Sequence, residues 1–349
     1  MDHTENKKAP GVLSRLGRAW RTNPLFSTGI ALIVMVIVQT VALTMNSSSA
    51  SFGDWFQNWL LNWVSLLRNN SAIGIIALGM TFVIISGGID LSVGSVYVAV
   101  GAFTMMLLDT GPNGWLGSLG LGGAPAILIA LVLALLFGGL LGEGNGLLIS
   151  YGRMPPFIAT LGAMQILRSV TQYCMKLQSP TLPEGYKDIA RLGIGGQQLM
   201  PIFYWAILAA AMYFISKKTP FGRYVFAIGS NERTTRLSGV DVRKVKRRVY
   251  ALTGLLVAVA AVIQTSRIGS MDYASAGSGF EMDAIAAVIV GGTSMSGGRG
   301  SIVGTVFGTL IVAVMNNLLN LIGVDPYLSA AFKGAIIIGA VLLQRKDKA

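Results

Sequence analysis

Long apolar runs separated by short polar connections dominate the chain. The runs at 25–44, 70–87, 92–109, 125–143, 157–175, 199–216, 249–266, 282–296, 301–321 and 327–344 predict ten membrane helices, since about 20 residues rising about 1.5 Å each cross a hydrocarbon core of about 30 Å. The eighth is the weakest. Its unbroken apolar core, Ala284 to Val290, rises only about 10 Å. Either Gly277 to Asp283 extends it as a partly buried helix, or it re-enters. Two glycine-rich breaks interrupt the pattern, Gly87-Gly88-Ile89-Asp90-Leu91-Ser92-Val93-Gly94-Ser95 and Gly291-Gly292-Thr293-Ser294-Met295-Ser296-Gly297-Gly298-Arg299-Gly300. Each precedes an apolar helix, at Ser92 and at Ser301, which hints at a diverged internal repeat. Between the first two spans, Trp55, Phe56, Trp59, Leu60, Trp63 and Leu66 recur at helical spacing. They predict a helix lying in the headgroup region, or else a partner-binding surface.

Composition excludes a water-soluble domain: of 349 residues, 53% are hydrophobic and only 12% charged. The net charge of +12 resides in the gaps between apolar runs, so membrane topology explains it better than nucleic acid does. No alternation of basic and aromatic residues marks a strand-binding groove. The basic N-terminus (Lys7, Lys8, Arg15, Arg18, Arg21), the connection 217–248 and the tail Arg345-Lys346-Asp347-Lys348 predict three cytoplasmic segments. The connection alone carries ten basic residues against Glu232 and Asp241. Six spans before it and four after it satisfy all three, and both termini are then cytoplasmic. The domains expected are a tail 1–24, a transmembrane domain 25–344 and a tail 345–349. The first span has no cleavage signature after it and reads as uncleaved.

Candidate chemistry is sparse. Cys174 is the single cysteine and His3 the single histidine, so no zinc cluster is predicted. Asp90 and Glu143 have no histidine base beside them, which weighs against an enzyme. The second break lacks the order GxxxxGK[ST] that cradles a nucleotide. Asp90 caps the third span through the N–H groups of residues 92 and 93, or else lies on a moving pathway. Pro155 and Pro156 set the start of the fifth span. Gly304 and Gly308 lie four apart on one helix face, suited to a dimer contact or to the core of the chain. Thr81, Gln165, Gln172, Gln264, Asn316 and Asn317 need partners inside the membrane, or they line a path for a neutral polyol. The helix-break and pathway candidates are Asp90, Ser92, Ser95, Gln165, Gln172, Thr293, Ser294, Ser296, Asn316 and Asn317. Lys333 either snorkels outward or meets Asp325. Neither a voltage-sensor arginine series nor a TVGYG filter is present.

Four stretches together resemble one family: GGIDLSVGS at 87–95, GRMPPFIATLG at 152–162, FGRYVFAIGSNERTTRLSGV at 221–240 and VGGTSMSGGRGSIVGTVFGTL at 290–310. Over about residues 65–345 the chain is similar to permease subunits of bacterial monosaccharide ABC importers, the ribose, galactose and xylose type related to branched-chain amino-acid permeases. The resemblance implies an all-α polytopic protein of the inner membrane, paired with a second copy or a close homologue. It further implies two cytoplasmic ATP-binding subunits or one fused tandem ATPase, which hold ATP and Mg, and an extracytoplasmic sugar-binding protein. No cofactor falls to this chain. The stretch 217–248 then looks like the loop that couples to the ATPase, with Arg223, Gly229, Asn231, Glu232, Arg236 and Gly239 on the family pattern. Thr234 and Thr235 stand where such permeases carry small alanines. Glu232 and Arg236, four apart, contact the ATPase or pair with each other. An ion-coupled secondary transporter using Asp90 or Glu143 is the alternative.

Overall fold

A computed structural model describes residues 24–46, 51–194 and 197–325, with single positions between 328 and 338. The N-terminal tail, Lys333, most of the tenth predicted span and the C-terminal tail lie outside the described residues. Except for a two-residue hairpin pair, β1 (Gly193–Ile194) and β2 (Gln197–Gln198), the described structure is helical.

Six helices among the described residues are long and apolar enough to cross a membrane, not ten. They are α1 (Pro24–Asn46), α2 (Phe52–Ile85), α5 (Gly123–Ser150), α8 (Met200–Lys218), α11 (Val242–Ile268) and α13 (Ile302–Leu321). The other predicted spans fall short for two reasons. Helices α3 (Val93–Leu108) and α12 (Phe280–Val290) are short, about 24 Å and 17 Å at helical rise. Helix α6 (Pro156–Met175) is long enough but carries Gln165, Arg168 and Gln172. Helix α3 is buried along nearly its whole length and α12 over Asp283–Ile289, so the break that leads into α3 and the end of α12 at Gly291 lie against protein, the condition for irregular backbone at membrane depth.

The predicted headgroup helix is not a separate element. Residues 55–67 are the first turns of α2, whose 34 residues reach about 51 Å. No glycine or proline interrupts the chain between Asp54 and Gly74, and the polar group Arg68-Asn69-Asn70 stays within the helix. The Asn70 amide donates to the Leu66 carbonyl at 2.8 Å, and Asn69 accepts from Arg267 at 3.1 Å. Two tryptophans of the stripe bond to α1, while Phe56 and Leu60 stay exposed. Trp55 donates to the Thr44 hydroxyl at 3.0 Å and Trp59 to that of Thr40 at 3.1 Å.

Helix α5 shows how the bundle sorts its faces. It exposes Leu128, Val132, Leu136 and Leu140 and buries Ala126, Ala130, Ala134 and Gly138. With bulky side chains outward and small ones inward, α5 approaches α11 closely: a methyl on Gly138 would stand 2.6 Å from the Ala258 methyl. Lipid is as apolar as leucine, so close packing of small residues, not burial of large ones, holds such a pair. Gly304 and Gly308 play the same part within the chain, meeting the backbone of α12 at Gly291 and Ala287. The core centres on the second half of α2, on α3 and on α11.

Four short helices complete the fold: α4 (Trp115–Ser118), α7 (Glu184–Arg191) and the pair α9 (Pro220–Ser230) and α10 (Glu232–Leu237) that fills the basic connection. Helix α7 was not foreseen. Its fully buried Tyr186 donates to the Val262 carbonyl at 3.1 Å and shares a hydrogen bond with Thr265 at 2.6 Å, tying α7 to the end of α11.

Candidate functional site

The two glycine breaks end their helices in the same way. At the end of α2, Ser86, Gly87 and Gly88 donate to the carbonyls of Phe82, Ile84 and Val83, and Gly87 has φ 82°. At the end of α12, Gly291, Gly292 and Thr293 donate to Ala287, Ile289 and Val288, and Gly292 has φ 86°. This is a Schellman pattern, position for position. The left-handed residue favours glycine because a Cβ is disfavoured there, which accounts for Gly87 in one break and Gly292 in the other. Beyond this shared turn the breaks diverge. The first reaches α3 in a few residues, whereas the second folds on itself through Ser294, whose amide meets the Arg299 carbonyl at 3.0 Å.

Asp90 lies in the first break and is buried. One carboxylate oxygen accepts the Ser92 amide at 2.9 Å and the Ser92 hydroxyl at 2.6 Å. Ser92 in turn accepts from the Asn145 amide of α5 at 2.7 Å. The predicted cap is thus narrower than expected: the carboxylate holds the amide of residue 92 but not that of 93. Its other partner is the Ser92 hydroxyl, so the aspartate fixes a serine that fastens the break to α5. The Tyr250 hydroxyl of α11 lies close by, under Gly88, and the Ser95 hydroxyl is buried one turn into α3; neither has a partner among the described residues. Sequence reasoning gave neither Asn145 nor Tyr250 a role, since nothing in the local pattern sets either apart from packing residues.

Both breaks converge on the connection. The Gly298 amide of the second break donates to the Ile85 carbonyl at the end of α2, at 2.9 Å. Gly229, near the end of α9, rests directly on this bond. A methyl there would stand 2.9 Å from the Ile85 carbonyl carbon, and closer still to the carbonyl oxygen and to the Gly298 nitrogen. Gly297 and Gly298 meet the backbone of Gly229 and Ser230 from the other side. Three segments far apart in sequence therefore touch through main-chain atoms at one joint.

The connection itself is built to hold a fixed shape. Thr219 accepts the Gly222 amide at 3.2 Å and Pro220 opens α9; Asn231 accepts the Thr234 amide at 3.0 Å and so caps α10. Glu232 pairs with Arg236 at 2.7 Å, as their spacing predicted, and also with Lys246 of α11 at 2.6 Å. The Lys246 hydrogen bond leads in holding the Glu232 carboxyl below the usual glutamate range. Thr235 is buried and donates to the Asn231 carbonyl at 2.8 Å. Gly239 takes φ 83° to turn the chain, and Asp241 caps α11 through the Lys244 amide at 3.0 Å. Arg223 stays exposed on α9.

The remaining pathway candidates are not gathered in one place. Asn317 donates to Asn62 at 3.1 Å, and Asn62 also accepts from Gln39 at 2.8 Å, so this pair belongs to a bridge joining α13, α2 and α1. Asn316 lies beside it on α13. Gln165 is exposed on α6, and Gln172 donates to the Ala274 carbonyl at 3.3 Å. Thr293 is buried in the second break, with Ser294 half-buried and Ser296 exposed beside it. Thr81 shares a buried hydrogen bond with Thr305 at 2.7 Å, and Gln264 accepts from Arg267 at 3.2 Å. Glu143 pairs with Arg247 at 2.9 Å across α5 and α11. Among the described residues, no group of three or more His, Cys, Asp or Glu could hold a metal ion.

Residues 62–341 match the family described as branched-chain amino acid transport system / permease component. The ribose import permease of Bacillus subtilis is 42% identical over 292 residues, covering 82% of this chain and 85% of that one. That of Haemophilus influenzae is 40% identical over 285 residues, 80% and 83% of the two chains. The galactose/methyl galactoside import permease of Escherichia coli is 36% identical over 286 residues, 80% and 84% of the two. No solved structure matches the chain.

Proposed function

Because the chain belongs to the family of branched-chain amino acid transport system permease components, we propose that it is the membrane subunit of an ATP-driven importer that moves a neutral monosaccharide by alternating access. Relatives named for ribose, galactose and xylose support the substrate class. The scarcity of charge among the apolar helices agrees with a neutral solute. In this reading the end of the bundle with the basic connection faces the cytoplasm, and both termini lie on that side. Two ATPase subunits bind there and hold the ATP and Mg, a sugar-binding protein docks opposite, and a second permease copy completes the pathway.

The joint at Gly229 is the observation that carries the mechanism. Helices α9 and α10 receive the movement of an ATPase bound below. Since α9 touches the end of α2 and the second break at Gly297 and Gly298 through backbone, displacement of α9 displaces both breaks without slack from side-chain rotamers. The backbone joint thus gives one push two outputs, one in each half of the bundle. ATP favours one access state and release of sugar the other, and only such differential binding drives the cycle. Arg223, Glu232 and Arg236 are assigned to the docking face; Asn231 and Gly239 shape it. An ion-coupled mechanism is less well supported, because Asp90 and Glu143 already hold protein partners.

The test is uptake of labelled ribose, galactose and xylose into liposomes holding the permease, its ATPase and its binding protein. ATP-dependent accumulation of one sugar is expected. Accumulation without ATP sinks the proposed energy source.

A further inference from the structure

Beside the joint lies a cleft of about 500 Å³ between the elbow that links α5 to α6 and the junction of α10 with α11, a size typical of small-ligand sites. Four cations line it, Arg153, Arg236, Arg243 and Lys246, against one carboxylate, Glu232. Glu232 is shared between Arg236 and Lys246. That leaves Arg153 and Arg243 with no carboxylate partner among the described residues. Ser150, only 7% exposed, also lines the cleft, and its hydroxyl has no partner there. A buried hydroxyl without a partner is costly unless a ligand supplies one.

We propose that this cleft binds a phosphate-bearing anion, supplied either by the headgroup of an anionic phospholipid or by a soluble phosphate compound. Guanidinium groups present paired N–H donors that match phosphate oxygens, and the Ser150 hydroxyl donates a further bond. Exposed Tyr151, Phe157 and Ile158 adjoin the cleft on the elbow and the start of α6, which puts an apolar border where acyl chains would lie. The site rests on the proposed function only for its cytoplasmic placement. A ligand held there bridges the elbow to the coupling helices.

The test uses the full chain in phosphatidylcholine nanodiscs, without ATPase or sugar, so its outcome is independent of transport. One arm titrates inorganic pyrophosphate by calorimetry. The other adds phosphatidylglycerol and counts lipids retained in native mass spectrometry. Arg153 has φ 55°, so Arg153→Gly removes the charge and suits that backbone; combined with Arg243→Gln it is expected to weaken binding about tenfold or more, because two charged donors to the anion are lost. Arg153→Lys with Arg243→Lys keeps the charge but not the forked donors, so it is expected to lose part of the binding and clearly less than the charge-removed pair, while Ser150→Ala costs a few fold. Melting curves confirm that each variant is folded. Retention of phosphatidylglycerol alone assigns a lipid, and pyrophosphate binding alone a soluble compound. Binding of neither, equal binding by wild type and the charge-removed pair, or equal loss in both pairs overturns the proposal.

Discussion

Replacing Gly229 by alanine tests the joint with two opposing terms. As the next-to-last residue of α9, Gly229 weakens the helix, and alanine there gains up to about 1 kcal/mol from helix propensity. Against this, its methyl lands 2.9 Å from the Ile85 carbonyl carbon and nearer to two other backbone atoms. Backbone cannot rotate aside as a side chain does, so α9 must shift. Such overpacking costs about 1–3 kcal/mol, and losing the bond from Gly298 to Ile85 adds about 1 kcal/mol. The net expectation is a loss of about 1–3 kcal/mol, with weakened stimulation of ATP hydrolysis by sugar-loaded binding protein in the assembled importer. Gly144→Ala is the comparator, for a methyl on Gly144 meets nothing within 4 Å, so only the favourable propensity term remains. Thermal unfolding of both variants, alongside stimulated hydrolysis, reads the difference. If Gly229→Ala melts at or above wild type and stays fully coupled, the backbone joint does not transmit movement.

Three further outcomes follow from the site. Asp90→Ala leaves the Ser92 amide and hydroxyl without their buried acceptor and is expected to cost about 1–3 kcal/mol, whereas Asp90→Asn keeps one acceptor oxygen and costs less; equal melting losses contradict the assigned role. Glu232→Gln removes two partly exposed pairs and lowers stability by at most about 1 kcal/mol at neutral pH, yet is expected to impair stimulated ATP hydrolysis. Because the native Glu232 carboxyl is held low, its contribution is complete above the ordinary glutamate value of about 4.3 and fades as pH falls through the lower native value; a gap between wild type and variant that widens in acid refutes the pairing. For Glu143 and Arg247, either single reversal is expected to lower the melting point and the double reversal to restore part of it, while uptake by Glu143→Gln stays ATP-dependent. A switch to proton-dependent uptake revives the ion-coupled alternative.

How much could be read beforehand depended on whether the deciding contacts were local. Helix ends at Pro156, at Gly87 and at Ser301 follow from residue types that act within a few positions, and the pairing of Glu232 with Arg236 follows from their spacing. The fate of residues 55–67 did not follow. Their tryptophan stripe suits a bilayer surface as well as it suits Thr40 and Thr44 of a neighbouring helix, and only the tertiary partner decides. Span counting failed for a related reason: the apolar runs at 92–109 and 282–296 are apolar because protein surrounds them, which hydropathy cannot distinguish from lipid. At the site, the glycine breaks stood out as sequence, but their meeting at Gly229 involves residues separated by most of the chain. The scatter of Asn317, Gln165 and Gln172 shows the limit of reading polar residues one at a time, for the first bonds Asn62, the last bonds the Ala274 carbonyl and Gln165 is exposed.

Main-chain contact at Ile85, Gly229 and Gly298 also has a genetic consequence. A clash between side chains can be relieved by shrinking the partner, so second-site suppressors usually map to the touching residue. Here every partner atom belongs to the peptide backbone, which no codon change can make smaller. Revertants of Gly229→Ala should therefore arise as true reversions, or as distant changes that move whole helices apart, and a suppressor screen should return no allele-specific substitution at Ile85. The joint is in this sense inherited whole, and variation in how tightly different transporters couple must be written elsewhere, in the exposed faces of α9 and α10.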